Sequence, residues 1–118
     1  MADHNDLGKK GEQLALDWFR SQGYEVLHIN WRHMHYEVDL IASKDGVLHF
    51  VEVKTRSSKQ FGEPEQSVGK KKMGNLMNAA EEYLYQHGQW KRIQFDVLSI
   101  MMKKGEPVEY FLLEDVYL

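Results

Sequence analysis

The chain has 118 residues, a formal net charge of -3, two prolines and no cysteine. That length holds one two-layer core and not two, so a single domain spanning residues 1–118 is expected. The missing cysteines exclude a disulfide framework and thiolate metal sites, and no apolar run approaches the roughly 18 residues of a membrane span.

From its first residues, MADHNDLGKKGEQ, the chain is polar, so no signal peptide or membrane anchor is read and a soluble cytoplasmic protein is expected. Asp6 can cap a helix running to about Gln22, with Leu7, Leu14, Ala15, Trp18 and Phe19 as its apolar stripe and Gly23 as its stop. YEVLHIN (24–30) reads as a strand and WRHMHY as a turn or ragged connection. EVDLIAS (37–43) is a second strand, and SKDG turns it back into VLHFVEVKTR (47–56), so these two are antiparallel neighbours. TRSSKQFGEPEQS is polar and reads as a loop. It leads to a second helix from about Ser67 to Gln86, with Met73, Leu76, Met77, Ala80, Tyr83 and Leu84 on one face. RIQFDVLSIM and VEYFLLED are two further strands around the turn KKGEP. The order α-β-β-β-α-β-β predicts an α/β fold, a sheet of about five strands between two helices.

Charge is distributed unevenly. Lys54, Arg56, Lys59, Lys70, Lys71 and Lys72 stand against only Glu63 and Glu65 between residues 54 and 72, while the segment after residue 80 is rich in acids. A local basic arm on a mildly acidic body can bind a polyanion, because the field near a patch is set within about 10 Å at 0.1 M salt. The KKK run can equally be a solvated helix start.

The third strand holds the chemistry. Side chains alternate along it, so Leu48, Phe50, Glu52 and Lys54 share one face and Val47, His49, Val51 and Val53 the other. One face therefore starts apolar and ends charged. On the second strand Glu37 and Asp39 share a face, and pairing across SKDG can bring Asp39 close to Glu52 and Lys54. Acids gathered this way are costly unless one is protonated or a cation lies between them. A divalent ion meets that need, and oxygen ligands without Cys favour Mg2+ or Mn2+ over Zn2+. The alternative is an internal salt bridge in which Lys54 neutralises Glu52 or Asp39, although one lysine cannot balance three acids.

An Asp, about a dozen residues, then Glu-x-Lys at a strand end resembles the PD-(D/E)XK nuclease superfamily, the restriction-endonuclease-like fold shared with Holliday junction resolvases. GKKGEQLALDWFRSQGYEVL, EVDLIA, FVEVKTR, the FGEP loop and FDVLSI together resemble the YraN family of small bacterial proteins with that fold, over about Gly8 to Ile100. The resemblance implies a restriction-endonuclease-like mixed sheet flanked by helices. It also implies that Asp39 and Glu52, with the main-chain carbonyl of Val53, hold the metal. Lys54 takes the position of the lysine that orients water or stabilises phosphate charge, Glu12 that of an acid approaching the metal from the side, and Glu37 that of a further acid. Two positions depart from the family pattern: Tyr36 stands where a Gly is usual, and Gln94 where an Arg often precedes Phe-Asp.

Phosphodiester hydrolysis needs an activated water and positive charge on the phosphoryl oxygens, which Mg2+ or Mn2+ and a lysine can supply. Arg56, Lys59, Lys70, Lys71 and Lys72 are the candidates for backbone phosphate contacts, which give affinity without sequence preference. Five other groups invite a second reading. His33 and His35 form a weak metal pair against a solvated turn, and His49 reads as a hydrogen-bonded core residue. Asp96 can serve a site or hold a loop, and Met73 with Met77 reads as core. Trp31 and Arg32 can stack on an unpaired base, or Trp31 can be buried at the sheet edge.

The expected activity is a Mg2+- or Mn2+-dependent endonuclease acting on nucleic acid, DNA before RNA, with branched or damaged DNA among the candidates. The alternatives are a non-catalytic nucleic-acid-binding module of the same fold and a protein-interaction domain with a structural acid cluster. A homodimer would suit a two-fold symmetric substrate.

Overall fold

The computed structural model describes residues 4–57 and 70–116, without the side chains of residues 4–7 and 70–73. The described elements follow the expected order: α1 (His4–Ser21), β1 (Glu25–His33), β2 (Tyr36–Lys44), β3 (Val47–Arg56), α2 (Lys70–Gln86), β4 (Arg92–Met101) and β5 (Glu109–Leu113). They form an α/β protein with one mixed sheet, strand order β1-β2-β3-β4-β5. The β3–β4 pair is parallel and the other neighbours are antiparallel. A parallel pair needs a crossover, and α2 lies within it.

Each face of the sheet is closed by one helix. Ala15 and Phe19 of α1 pack with Leu40, Ala42, Val51, Leu98 and Ile100 on one face. Leu76, Ala79, Ala80 and Tyr83 of α2 pack with Val38, Ile41, Leu48, Phe50 and Phe95 on the other. The alternation read along β3 is therefore realised, with Leu48 and Phe50 toward α2 and Val51 and Val53 toward α1.

The ends of the elements follow local chemistry. Gly23 adopts φ 90° after α1. Its amide donates to the Arg20 carbonyl at 3.1 Å, and the Tyr24 amide donates to the Phe19 carbonyl at 3.0 Å. This is a Schellman stop, sealed by an edge-on Phe19–Tyr24 ring contact at 4.8 Å. Asp45 and Gly46, with φ of 52° and 78°, make the two-residue turn between β2 and β3. Positive φ at both positions suits the right-handed twist of a hairpin, which is why Asp-Gly marks it in the sequence. Gly11 of α1 passes close to β3: a Cβ there would overlap Thr55 Oγ1 and stand 3.2 Å from Thr55 Cβ and Cγ2.

Some boundaries and faces differ from the sequence reading. α1 already includes His4, so Asp6 lies inside the helix and is not its cap. β1 continues through Trp31 to His33, leaving only Met34 and His35 for the turn into β2, with Met34 at φ 56°. The ragged connection was read because no Gly or Asn marks that turn. Met77 is 54% exposed and is not a core residue, because the buried face of α2 runs through Leu76, Ala79, Ala80 and Tyr83, to one side of it. Trp31 is half-buried, packed edge-on to Tyr83 with centroids 5.4 Å apart, which fits a buried sheet-edge residue. The start of α2 near Ser67 lies outside the described residues, and so does the side chain of Met73.

Candidate active site

The hydrogen-bonded pairing of β2 with β3 stops at Leu40↔Val51. The next pair in that register would set Asp39 opposite Glu52. There the Asp39 carboxylate substitutes for backbone, and the Val53 amide donates to its Oδ2 at 2.8 Å. In an extended strand the N–H and C=O of one residue point to the same neighbour, so the Val53 carbonyl also faces the Asp39 side. Glu52 is 6% exposed, and Lys54 Nζ lies 3.8 Å from its Oε1. Both side chains continue the α2-facing row of Leu48 and Phe50. Beside them on β4, Val97 is paired with Glu52 and Ser99 with Lys54, and both are buried. Ser99 was not singled out in the sequence, where it is one small residue in the apolar run VLSIM.

This corner thus joins a carboxylate fixed where the β2–β3 ladder ends, a buried carboxylate, an ammonium and a carbonyl aimed at the same side. Two carboxylates brought to one corner favour a cation between them, and hard oxygen donors of this kind suit Mg2+ or Mn2+. Asp39, Glu52 and the Val53 carbonyl are the groups that fit such an ion. Among the described residues, no three His, Cys, Asp or Glu side chains converge as a metal-holding group.

The other candidate residues are placed as follows. Glu37 is opposite Arg32 in the β1–β2 pairing and forms an exposed ion pair with it at 3.4 Å. Glu12 is half-buried, one residue beyond the Gly11–Thr55 contact, on the helix that covers the opposite face of β3 from Glu52 and Lys54. Arg56 ends β3, and its carbonyl accepts the Met102 amide at 2.8 Å. Lys59 lies outside the described residues. Lys70, Lys71 and Lys72 open α2, with side chains outside the description.

Asp96 belongs to the other face and holds the chain in place. It is 1% exposed, and its Oδ2 accepts from His49 Nδ1 at 2.7 Å. Its Oδ1 accepts from Gln94 Nε2 and from the Asp115 amide, each at 2.9 Å. The Val116 amide then donates to the Phe95 carbonyl at 2.7 Å, so the segment after β5 is tied back to β4. His49 is a hydrogen-bonded core residue as expected, with the Tyr24 ring edge-on to it at 5.1 Å. Burial, then the negative charges of Asp96, Glu114 and Asp45, raise the Tyr24 hydroxyl above its ordinary pKa. Gln94, where the family pattern often has Arg, is engaged with Asp96 and with Glu114 at 3.3 Å.

A mixed five-stranded sheet, a helix on each face, and an Asp and a Glu-x-Lys on neighbouring strands where their ladder ends define an α/β protein of the restriction-endonuclease-like class. The chain belongs to the Uncharacterised protein family UPF0102, the YraN family, which it matches over residues 11–100. It is 40% identical over 118 residues to the UPF0102 protein of Flavobacterium psychrophilum, covering 99% of this chain and 98% of that one. It is 40% identical over 111 residues to the UPF0102 protein of Christiangramia forsetii, covering 93% of each. The UPF0102 protein of Syntrophomonas wolfei is 42% identical over 104 residues, 87% of this chain and 90% of that relative. Among the described residues, no helix is long and apolar enough to cross a membrane.

Proposed function

We propose that this protein is a Mg2+- or Mn2+-dependent nuclease that hydrolyses phosphodiester bonds in DNA, with its centre at Asp39, Glu52 and Lys54. The observation that carries the reading is the interrupted β2–β3 ladder. At that point Asp39 receives the Val53 amide, and buried Glu52 lies beside half-buried Lys54, 3.8 Å apart. Asp39, Glu52 and the Val53 carbonyl would hold the ion. When bound, it would supply Lewis acidity to a phosphoryl oxygen and a water of lowered pKa. Lys54 would remain protonated between carboxylates and substrate phosphate and stabilise the charge that grows on the phosphoryl oxygens. Asp39, fixed through the Val53 amide, would be preorganised and would not need to turn toward the substrate. Arg56 and the lysines at 59 and 70–72 would contact backbone phosphates, giving affinity that falls steeply with salt and is indifferent to sequence.

The test is cleavage of labelled linear duplex, single-stranded and four-way-junction DNA, with matching RNA, in Mn2+, Mg2+ or EDTA. Asp39→Asn and Lys54→Met are assayed beside the wild type. Metal-dependent cutting that both variants lose supports the reading, and the ranking of substrates defines the specificity. A folded wild type that cuts none of them but binds junction or duplex in a salt-dependent manner would replace the enzyme with a binding module.

A further inference from the structure

A second feature lies where the β1–β2 turn meets α2. An open groove of about 470 Å3 is lined by His33, Met34 and Tyr36 from the hairpin and by Glu81, Glu82 and Tyr85 from α2. Met34 is 83% and Tyr85 84% exposed, and Met77, one turn before Glu81 on the same helical row, is 54% exposed. These are three of the five large apolar or aromatic side chains that the described residues leave exposed, the others being Ile29 and Phe111. Single exposed apolar residues need no explanation, but a grouping around one depression marks an interaction surface. Met34 adds a backbone argument. It adopts φ 56°, a conformation that favours Gly or Asn, and its side chain gains no burial in return. The two-residue turn imposes that φ, but nothing in the packing of the hairpin calls for an exposed, flexible thioether at it, which a partner would cover.

The lining says what that partner carries. Two carboxylates stand on the helical wall. Glu82 is partly compensated, with His33 Nε2 at 3.8 Å from Oε1 and Gln86 Nε2 donating to Oε2 at 2.8 Å. Glu81 makes no ion pair among the described residues. Carboxylates repel a nucleic-acid backbone, and a purely aliphatic ligand would desolvate them without compensation. A guanidinium or ammonium satisfies both parts of the lining, because its charge pairs with Glu81 while its flat face or stem lies on the Tyr rings and Met34. Arginine suits this better than lysine, since its planar fork can stack and pair at once.

We infer that this groove docks a basic segment of a partner protein, with an arginine side chain seated between Tyr36, Tyr85 and Glu81. The inference is independent of the nuclease reading, because it uses neither Asp39, Glu52 nor Lys54.

The test is amide NMR of the full chain, titrated with blocked Gly-Arg-Gly, its citrulline isostere and blocked Gly-Glu-Gly. The expected result is a saturable set of shifts confined to residues 33–36 and 78–85 with the arginine peptide. The citrulline peptide should bind about fivefold more weakly, since citrulline stacks but carries no charge. Glu81→Gln with Tyr85→Ala should abolish the shifts and leave the thermal midpoint unchanged, because both positions are exposed. Equal binding of arginine and citrulline, or no localised shift, would overturn the inference. So would groove shifts produced by raising protein concentration alone, which would indicate a second copy, or by a single-stranded oligonucleotide, which would indicate nucleic acid.

Discussion

Gly11→Ala isolates the contact between α1 and the end of β3. In the middle of a helix this substitution should stabilise by about 1 kcal/mol, because alanine loses less backbone entropy than glycine. Here the added Cβ would overlap Thr55 Oγ1 and lie 3.2 Å from both Thr55 Cβ and Cγ2. Threonine is branched at Cβ, so turning χ1 exchanges one of these atoms for another and relieves little. Overpacking of this kind typically costs about 1–3 kcal/mol, which outweighs or cancels the helical gain and leaves a net loss of up to about 2 kcal/mol. Thr55→Ala removes Oγ1 and Cγ2. In that background Gly11→Ala should recover the helical gain, giving a favourable coupling of about 1–3 kcal/mol between the two sites. Equilibrium urea unfolding of the four proteins of this cycle measures it. The reasoning is refuted if Gly11→Ala alone stabilises the protein, or if the two effects add within about 0.5 kcal/mol.

Asp39 can be separated into a structural and a chemical part. Asn retains an oxygen for the Val53 amide, so Asp39→Asn should unfold within about 1 kcal/mol of wild type, while Asp39→Ala leaves that amide unpaired and should cost about 1–3 kcal/mol in the same assay. Asp96→Ala should be more severe, about 3–5 kcal/mol, because it strips a buried carboxylate from His49, Gln94 and the Asp115 amide, and hydrogen exchange of residues 115 and 116 should accelerate with it. His28 gives a pH dependence: burial, then the neighbouring charge of His87, lowers its pKa below 6.5. The unfolded chain therefore takes up the proton first, and this contribution to stability is present above pH 6.5 and is lost as pH falls through the lowered folded value. His28→Gln should flatten the decline in unfolding midpoint between about pH 7 and 5, and an unchanged slope would assign the decline to other groups.

How much could be read in advance depends on whether a residue's partner is near it in sequence. The 47–56 strand announces both faces by alternation, and Asp45-Gly46 and Gly23 announce their turns because each position needs positive φ. Those signals were enough for the element order and for the juxtaposition of strands 37–43 and 47–56. The Met34 turn carries no such residue and was invisible. Met77 was misread because its helix is apolar over a wider arc than the sheet covers, and only the packing of Leu76, Ala79, Ala80 and Tyr83 selects the buried stripe. Asp96 could not be resolved from sequence, because its partners come from β3 and from the segment after β5.

The two faces of β3 carry different burdens, and that division gives the mutations their meaning. Toward α1, His49 is locked to Asp96 at 2.7 Å, and through Asp96 to the chain after β5. Toward α2, the same strand runs from the apolar Leu48 and Phe50 into Glu52 and Lys54, where the neighbouring β2 ladder has already ended. A sheet gains nothing in stability from ending a ladder early and setting a second acid beside an acid–lysine pair, whereas a network such as that of Asp96 rigidifies the fold. Substitutions on the His49–Asp96 face should therefore act on the unfolding midpoint first. Isosteric substitutions at Asp39 and Lys54 should instead spare the midpoint and act on whatever binds at the open end of the ladder. Parallel losses of stability on both faces would mean that Glu52 and Lys54 are only a buried ion pair.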